Sequence, residues 1–429
     1  MAGEADEGDP REAVDAILDG AMAGDDLGPV LAVAGAALCR AGVPIVRASL
    51  GMPAIDPTIR GLSWVWWRND GSGRGGAGQV ELVETLHGPE SDEAFRASPI
   101  HHMRERDLTS CRWRLDGTAA TAPDSESFPL FSELRRRGVT EFAMRLVPFG
   151  TGALIGAAFG IATDRPGGFT DADLAAADRL LPALALAAYR IGLARVATAA
   201  LGAYLGGATG LRVLAGEIRR GGGRVVHAAV LLADLRGFTA LAGRADPADV
   251  VGWLNEHFDA MGDPVLERGG EILKFLGDGL LAVFPVAGSG AEIEGAACTL
   301  ALAAAEDALA RNAALNAGRA ATGGPTLGLD VALHFGEVVY GNIGTARRLD
   351  FTVIGRVVNE ASRMERLCDA IGRHLLLSAD FAQRCRVGAG RGCSLESLGR
   401  HVLAGVGERE LFAPAAVSAT VEPRDSCLG

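Results

Sequence analysis

The 429 residues contain no Cys-x-x-Cys pair, no basic excess and no uncharged apolar run long enough to span a bilayer unbroken. Each absence removes a class of protein. The seven cysteines (Cys39, Cys111, Cys298, Cys368, Cys385, Cys393, Cys427) are odd in number and scattered, so neither a disulfide framework nor a zinc site is indicated, and reduced thiols in a cytoplasmic protein are expected. A formal net charge of −12 argues against a general nucleic-acid binder, which needs a broad basic surface. A small anionic substrate would bind only locally, through metal ions and a few arginines. The start, "MAGEADEGDPREAVDA", is acidic and polar, unlike a secretory signal. Of two apolar stretches, 146–163 is broken by Gly and Pro, and 180–207 carries Arg190 and Arg195 at its centre, where charge is costly in lipid. No membrane partner is expected.

What remains is a globular composition, 48% hydrophobic and 22% charged, in a chain long enough for two or three domains. Residues 1–24 read as a flexible start leading into a helix. Over 25–170, helical "GPVLAVAGAALCRAG" precedes candidate strands "PIVRASLG", "LSWVWWRND" and "QVELVETL", with a Gly/Ser loop "GSGRGGAG" among them. Helix-like "SFPLFSELRRRGV" then leads to two sheet partners, "EFAMRLVPF" and "ALIGAAFGIATD", across a "GTG" turn. This pattern suits a small sensor-like domain. Residues 171–224 read as a helical connector and dimer contact, opened by Thr170 as N-cap and closed by a glycine hinge at Gly221 to Gly223. Strands and helices interleave over 225–416, and 417–429 read as a flexible tail.

Two carboxylates stand out. Asp234 ends the apolar run "VVHAAVLLAD", and Asp278 sits in a Gly-Asp-Gly turn between "GEILKFLG" and "GLLAVFP". Either residue alone is an ordinary turn or cap; together, each beside glycine, they offer hard oxygen ligands suited to Mg²⁺ or Mn²⁺. Lys274, in an otherwise apolar run, is either a snorkelling edge residue or a donor to a base or phosphate. Asn359 and Arg363, at i and i+4, share one helix face, as solvated surface or as a polar clamp for a sugar-phosphate. Thr352 precedes them in "DFTVIG".

Taken in order, "LLADLRGFTAL", "KFLGDGLLAVF", "LHFGEVVYGNIG" and "FTVIGRVVNEASRME" strongly resemble the catalytic domain of class III adenylate/guanylate cyclases. The resemblance implies an α+β, ferredoxin-like catalytic domain over 225–416 that works as a homodimer, with ATP bound between subunits and converted to 3′,5′-cyclic AMP and pyrophosphate. By position it makes Asp234, Asp278 and the Leu235 carbonyl ligands of two Mg²⁺ or Mn²⁺ ions. It places phosphates on the turn at Phe238 and Thr239, with a further contact at Arg347. Asn359 then orients the ribose, and Arg363 stabilises charge developing on the phosphates. It gives Lys274 and Thr352 the choice of base: a lysine donor for adenine N1 and a threonine acceptor for N6, a Lys/Thr pair like that of the subgroup that includes bicarbonate-responsive cyclases. The N-terminal region is similar to a GAF-like α/β sensor, with an unidentified small-molecule or protein effector. Adjacent His101 and His102 are not expected to share a ligand, and Trp64, Trp66 and Trp67 read as packing.

The chain departs from the family pattern twice. Arg356 follows "IG", where an acid is frequent, and Ala404 occupies the position of a lysine that contacts the triphosphate. Loss of such a contact lowers activity by about tenfold to a hundredfold. The alternatives are a catalytically weak or silent nucleotide-binding regulator on the same fold, or a guanylate cyclase.

Overall fold

The computed structural model describes residues 10–68, 80–117, 128–150, 154–288, 290–388 and 394–415. The "GSGRGGAG" loop, most of the "GTG" turn, Cys393, Cys427 and the tail lie outside them. The chain divides into two compact units, 1–203 and 204–429. The expected α+β class holds in both.

The N-terminal unit runs α1 (Pro10–Ala23), α2 (Leu27–Arg40), β1 (Ile45–Pro53), β2 (Ile59–Trp67), β3 (Val80–Leu86), α3 (Pro89–Arg96), α4 (Pro99–Glu105), β4 (Ser110–Arg114), α5 (Pro129–Arg136), β5 (Glu141–Pro148), β6 (Gly156–Thr163) and α6 (Asp171–Leu205). Its strands form one antiparallel sheet in the order β3-β2-β1-β6-β5-β4. One face packs on α2 and α6 around Leu50, Trp64, Trp66, Leu184 and Ile191. The other packs on α4 and α5 around Trp113, Phe131 and Phe142. Trp64 and Trp66 are core residues, and Trp67 lies beneath the Arg137 guanidinium, as the packing reading required. His101 turns outward to Glu105, while His102 is buried against Trp113 and Phe128, so the neighbours diverge.

Thr170 caps α6 reciprocally: its Oγ1 accepts from the Asp173 amide at 3.2 Å, and the Asp173 carboxylate accepts from the Thr170 amide at 2.7 Å. Within the expected connector, α6 buries Leu174, Leu180, Leu184 and Ile191 in the N-terminal core. Leu186, Tyr189 and Leu193 remain exposed on its other side. By length and composition alone α6 is apolar enough to cross a membrane.

The C-terminal unit continues with α7 (Gly207–Leu214), β7 (Gly223–Arg236), α8 (Phe238–Ala242), α9 (Pro247–Glu267), β8 (Glu271–Leu276), β9 (Gly279–Pro285), α10 (Ala291–Ala321), β10 (Gly328–Gly344), β11 (Leu349–Ile354), α11 (Arg356–Glu365), α12 (Cys368–Ile371), β12 (Leu375–Ser378), α13 (Ala379–Gly388), β13 (Leu395–Leu403) and β14 (Gly407–Pro414). Its eight-stranded sheet has the order β13-β14-β12-β10-β7-β9-β8, with β11 paired to β10. The period of two along a strand divides β7 cleanly. Ala229, Leu231, Ala233 and Leu235 enter the core beneath α9, α10 and α13, whereas Ala228, Val230 and Leu232 enter the core beneath α11.

The glycine hinge is strapped down. The Gly221 amide donates to Asn342 O and the Asn342 amide donates to Gly222 O, both at 3.0 Å. A Cβ on Gly341 would overlap Gly222 O, so close backbone contact replaces the expected free swivel.

Candidate functional site

Strand parity places Asp234 on the α11 face, in line with Val230 and Leu232, where it lies half-buried opposite Asp330 of β10. The second carboxylate arrives on a hairpin. Leu276 pairs with Gly279, leaving Gly277 and Asp278 as a two-residue turn with φ of 71° at Gly277. Gly279 is what lets this hairpin close. A Cβ there would stand 2.7 Å from Asp234 Oδ1, so any side chain would push the two aspartates apart.

The electrostatics record the approach. Burial, then the Asp278 carboxylate, push Asp234 up to about 6, against the Leu235 amide that holds it down. Glu365, at the end of α11, is pushed up to about 7 by burial and then by Asp234 and Asp330. Among the described residues none of Asp234, Asp278 and Glu365 makes an ion pair, and no three His, Cys, Asp or Glu groups form a ready metal cage. Crowded carboxylates, offset only in part by the Arg366 charge and without a closed cage, fit a hard divalent cation that keeps waters and takes the rest of its ligands from a substrate.

Lys274 lies on β8, the sheet's edge strand, and is the only lysine in the sequence. Its ammonium sits 3.0 Å from Asp350 Oδ2 on β11. Thr352, two residues along the same strand, is 4% exposed, and its Oγ1 is buried with no partner among the described residues. An orphaned buried hydroxyl is costly, which sets Thr352 apart from its core neighbours. The structure therefore brings Lys274 and Thr352 to one edge through Asp350, a residue the sequence reading missed although strand periodicity places it on the face of Thr352.

Asn359 and Arg363 project from α11, whose other side buries Val357, Glu360, Ala361 and Met364. Asn359 is exposed, and Arg363 makes no ion pair among the described residues. Buried Glu360 anchors the helix, reaching His334 Nε2 at 3.3 Å on β10 and Arg409 Nε at 3.3 Å on β14. Arg356, largely exposed, pairs with Glu360 at 3.4 Å. Phe238 opens α8, half-buried against the core, and Thr239 is exposed beside it; their amides belong to a first helical turn, which has no internal acceptors. Arg347 is exposed in the β10–β11 turn, and Ala404 in the turn joining β13 and β14. Asp330 and Glu365 were not foreseen; Gly279 was noted as the glycine after Asp278, though not as its point of approach to Asp234.

Residues 223–410 match the family described as adenylate and guanylate cyclase catalytic domain. They form a class III cyclase catalytic domain. The chain is 32% identical over 149 residues to the adenylate cyclase of Anabaena cylindrica, covering 35% of this chain and 29% of that protein. It is 31% identical over 156 residues to adenylate cyclase 1 of Rhizobium meliloti strain 1021, covering 36% and 23%. The chain thus spans less than a third of the length of these curated relatives. Among solved structures, the adenylyl cyclase CyaB from P. aeruginosa aligns at 24% identity and a TM-score of 0.39, covering 48% of this chain and all of that one.

Proposed function

We propose that the protein is an adenylate cyclase that converts ATP to 3′,5′-cyclic AMP and pyrophosphate at a homodimer interface, under control of its N-terminal GAF-like unit. The observation that carries this reading is the hairpin closure of Asp278 onto Asp234 at Gly279. Asp234, Asp278 and the Leu235 carbonyl would hold two Mg²⁺ or Mn²⁺ ions, which when bound neutralise the triphosphate and favour departure of pyrophosphate. The first-turn amides of Phe238 and Thr239 donate to phosphate oxygens. Asn359 orients the ribose so that its 3′-oxygen faces the α-phosphorus. Arg363, with no competing ion pair, donates to the phosphate oxygens as charge gathers on them. Arg347 adds a cation at the mouth.

Base choice rests on Lys274 and Thr352. The ammonium donates to adenine N1, and the unpartnered Thr352 Oγ1 accepts from N6; guanine offers the reverse polarity at these positions. In a homodimer these two residues serve the partner's carboxylates, so each chain supplies half of two sites.

A silent nucleotide-binding regulator is favoured only by Ala404 and Arg356. Replacing Asp278 by Ala decides between the two. In an active enzyme the change lowers cyclic AMP formation in Mn²⁺ by roughly a hundredfold or more. An unchanged, negligible rate in both proteins would support the regulator.

A further inference from the structure

The first helix of the C-terminal unit, α7, is joined to the two strands that carry Lys274 and Thr352, and the joint is one side chain. Tyr340, on β10, is 2% exposed, and its hydroxyl donates to Glu271 Oε2 on β8, three residues before Lys274. Because that proton is committed, Thr209 Oγ1 of α7, 3.3 Å away, must donate to the phenol oxygen. The Arg212 guanidinium of α7 stands 4.6 Å over the Tyr340 ring and 5.9 Å over that of Phe351. Phe351 packs edge-on against Tyr340 at 4.9 Å and lies between Asp350 and Thr352. One phenol thus connects a helix, the lysine strand and the threonine strand.

Ordinary core packing would not need these groups. A phenylalanine would fill the same volume, and a buried hydroxyl is tolerated only when partnered at both ends. Arg212 Nη1 is buried with no hydrogen-bond partner among the described residues, and its charge lies over the Tyr340 and Phe351 ring faces. The chain after α7 is also fixed to β10, since Asn342 Nδ2 donates to Glu217 O at 2.6 Å. Displacement of α7 therefore has little slack and is passed to β8 and β11. A single residue, Gly206, separates α7 from α6, the helix that leaves the N-terminal unit.

We propose that Arg212 and Tyr340 are positioning residues through which α7 sets the placement of Lys274 relative to Thr352, and so tunes recognition of the nucleotide base. This rests on the assignment of Lys274 and Thr352 to the base. As the sole lysine, Lys274 gives a readout that needs neither nucleotide nor turnover: its acetylation rate by a water-soluble N-hydroxysuccinimide ester, followed by peptide mass spectrometry on the full-length protein.

Tyr340→Phe keeps the ring and breaks the link to Glu271; Arg212→Met keeps length and removes the charge. Both are expected to change the Lys274 acetylation rate by about threefold or more, and to raise KM for ATP about threefold to tenfold with kcat within about twofold. Unchanged acetylation and unchanged KM in both variants would overturn the proposal. So would a loss of kcat that tracks a fall in Tm at constant KM, the mark of a purely structural role. Altered acetylation in a protein that forms no cyclic nucleotide would uphold the linkage and instead overturn the assignment of the site.

Discussion

At the residue scale the most informative atom is Thr352 Oγ1, buried and unpartnered between the core residues Phe351 and Val353. Thr352→Val keeps the shape and deletes the orphan. Stability is expected to hold or rise by up to about 2 kcal/mol, while kcat/KM for ATP falls, measured by thermal melts alongside initial rates. A stability loss with unchanged kinetics would show the hydroxyl to be structural. Lys274 has a comparable test. Forty of the 41 Lys and Arg residues are arginine, so a lysine here marks a demand for a compact ammonium rather than a planar fork. Lys274→Arg is predicted to lower kcat/KM for ATP about tenfold without lowering Tm. Asp234, Asp278, Asn359 and Arg363 were visible in the sequence as two glycine-flanked acids and an i, i+4 pair, and only the resemblance of the ordered motifs gave them roles. Asp330 and Glu365 were not, because only the β7–β10 register and the end of α11 bring them to Asp234.

At the element scale the β8–β9 hairpin and the α9–α10 pair carry opposite lessons. Gly279→Ala would place a methyl against Asp234, at a cost of about 1–3 kcal/mol, and should weaken Mn²⁺ activation more than it weakens folding. The measurement is the Mn²⁺ concentration giving half-maximal rate, compared with the shift in Tm. On α9, His257 is fully buried between Asn312 Oδ1 at 2.7 Å and Arg319 Nη1 at 3.1 Å. Arginine only donates, so His257 Nε2 must accept and Nδ1 must carry the proton. Burial first, then Arg319 against the pull of Asn312 and Glu256, lowers its pKa below the usual histidine value. The unfolded chain then binds the extra proton more readily, so this contribution is present above about pH 6.5 and is lost as pH falls below it. His257→Gln should flatten the drop in Tm between pH 7.5 and pH 5.5. The β7 strand was readable as a continuous apolar run, which is how a strand buried on both faces reads. The tie of Gly221 and Gly222 to Asn342 was not, since glycine runs signal freedom and close contact alike.

At the scale of the whole molecule, the chain divides into two compact units between residues 203 and 204, and α6 buries one side in the N-terminal core and leaves Leu186, Tyr189 and Leu193 exposed. Because each chain would lend its base-binding residues to a partner, specific activity should rise with protein concentration through the dimer dissociation range, tracked by sedimentation. A specific activity constant under dilution into the monomer range would contradict a shared site. The central claim is tested most directly by supplying the purified full-length protein with equal ATP and GTP in Mn²⁺ and quantifying both cyclic nucleotides. The arrangement of Lys274, Thr352 and the paired aspartates predicts 3′,5′-cyclic AMP as the dominant product; a dominance of cyclic GMP, or no cyclic nucleotide at all, would contradict it.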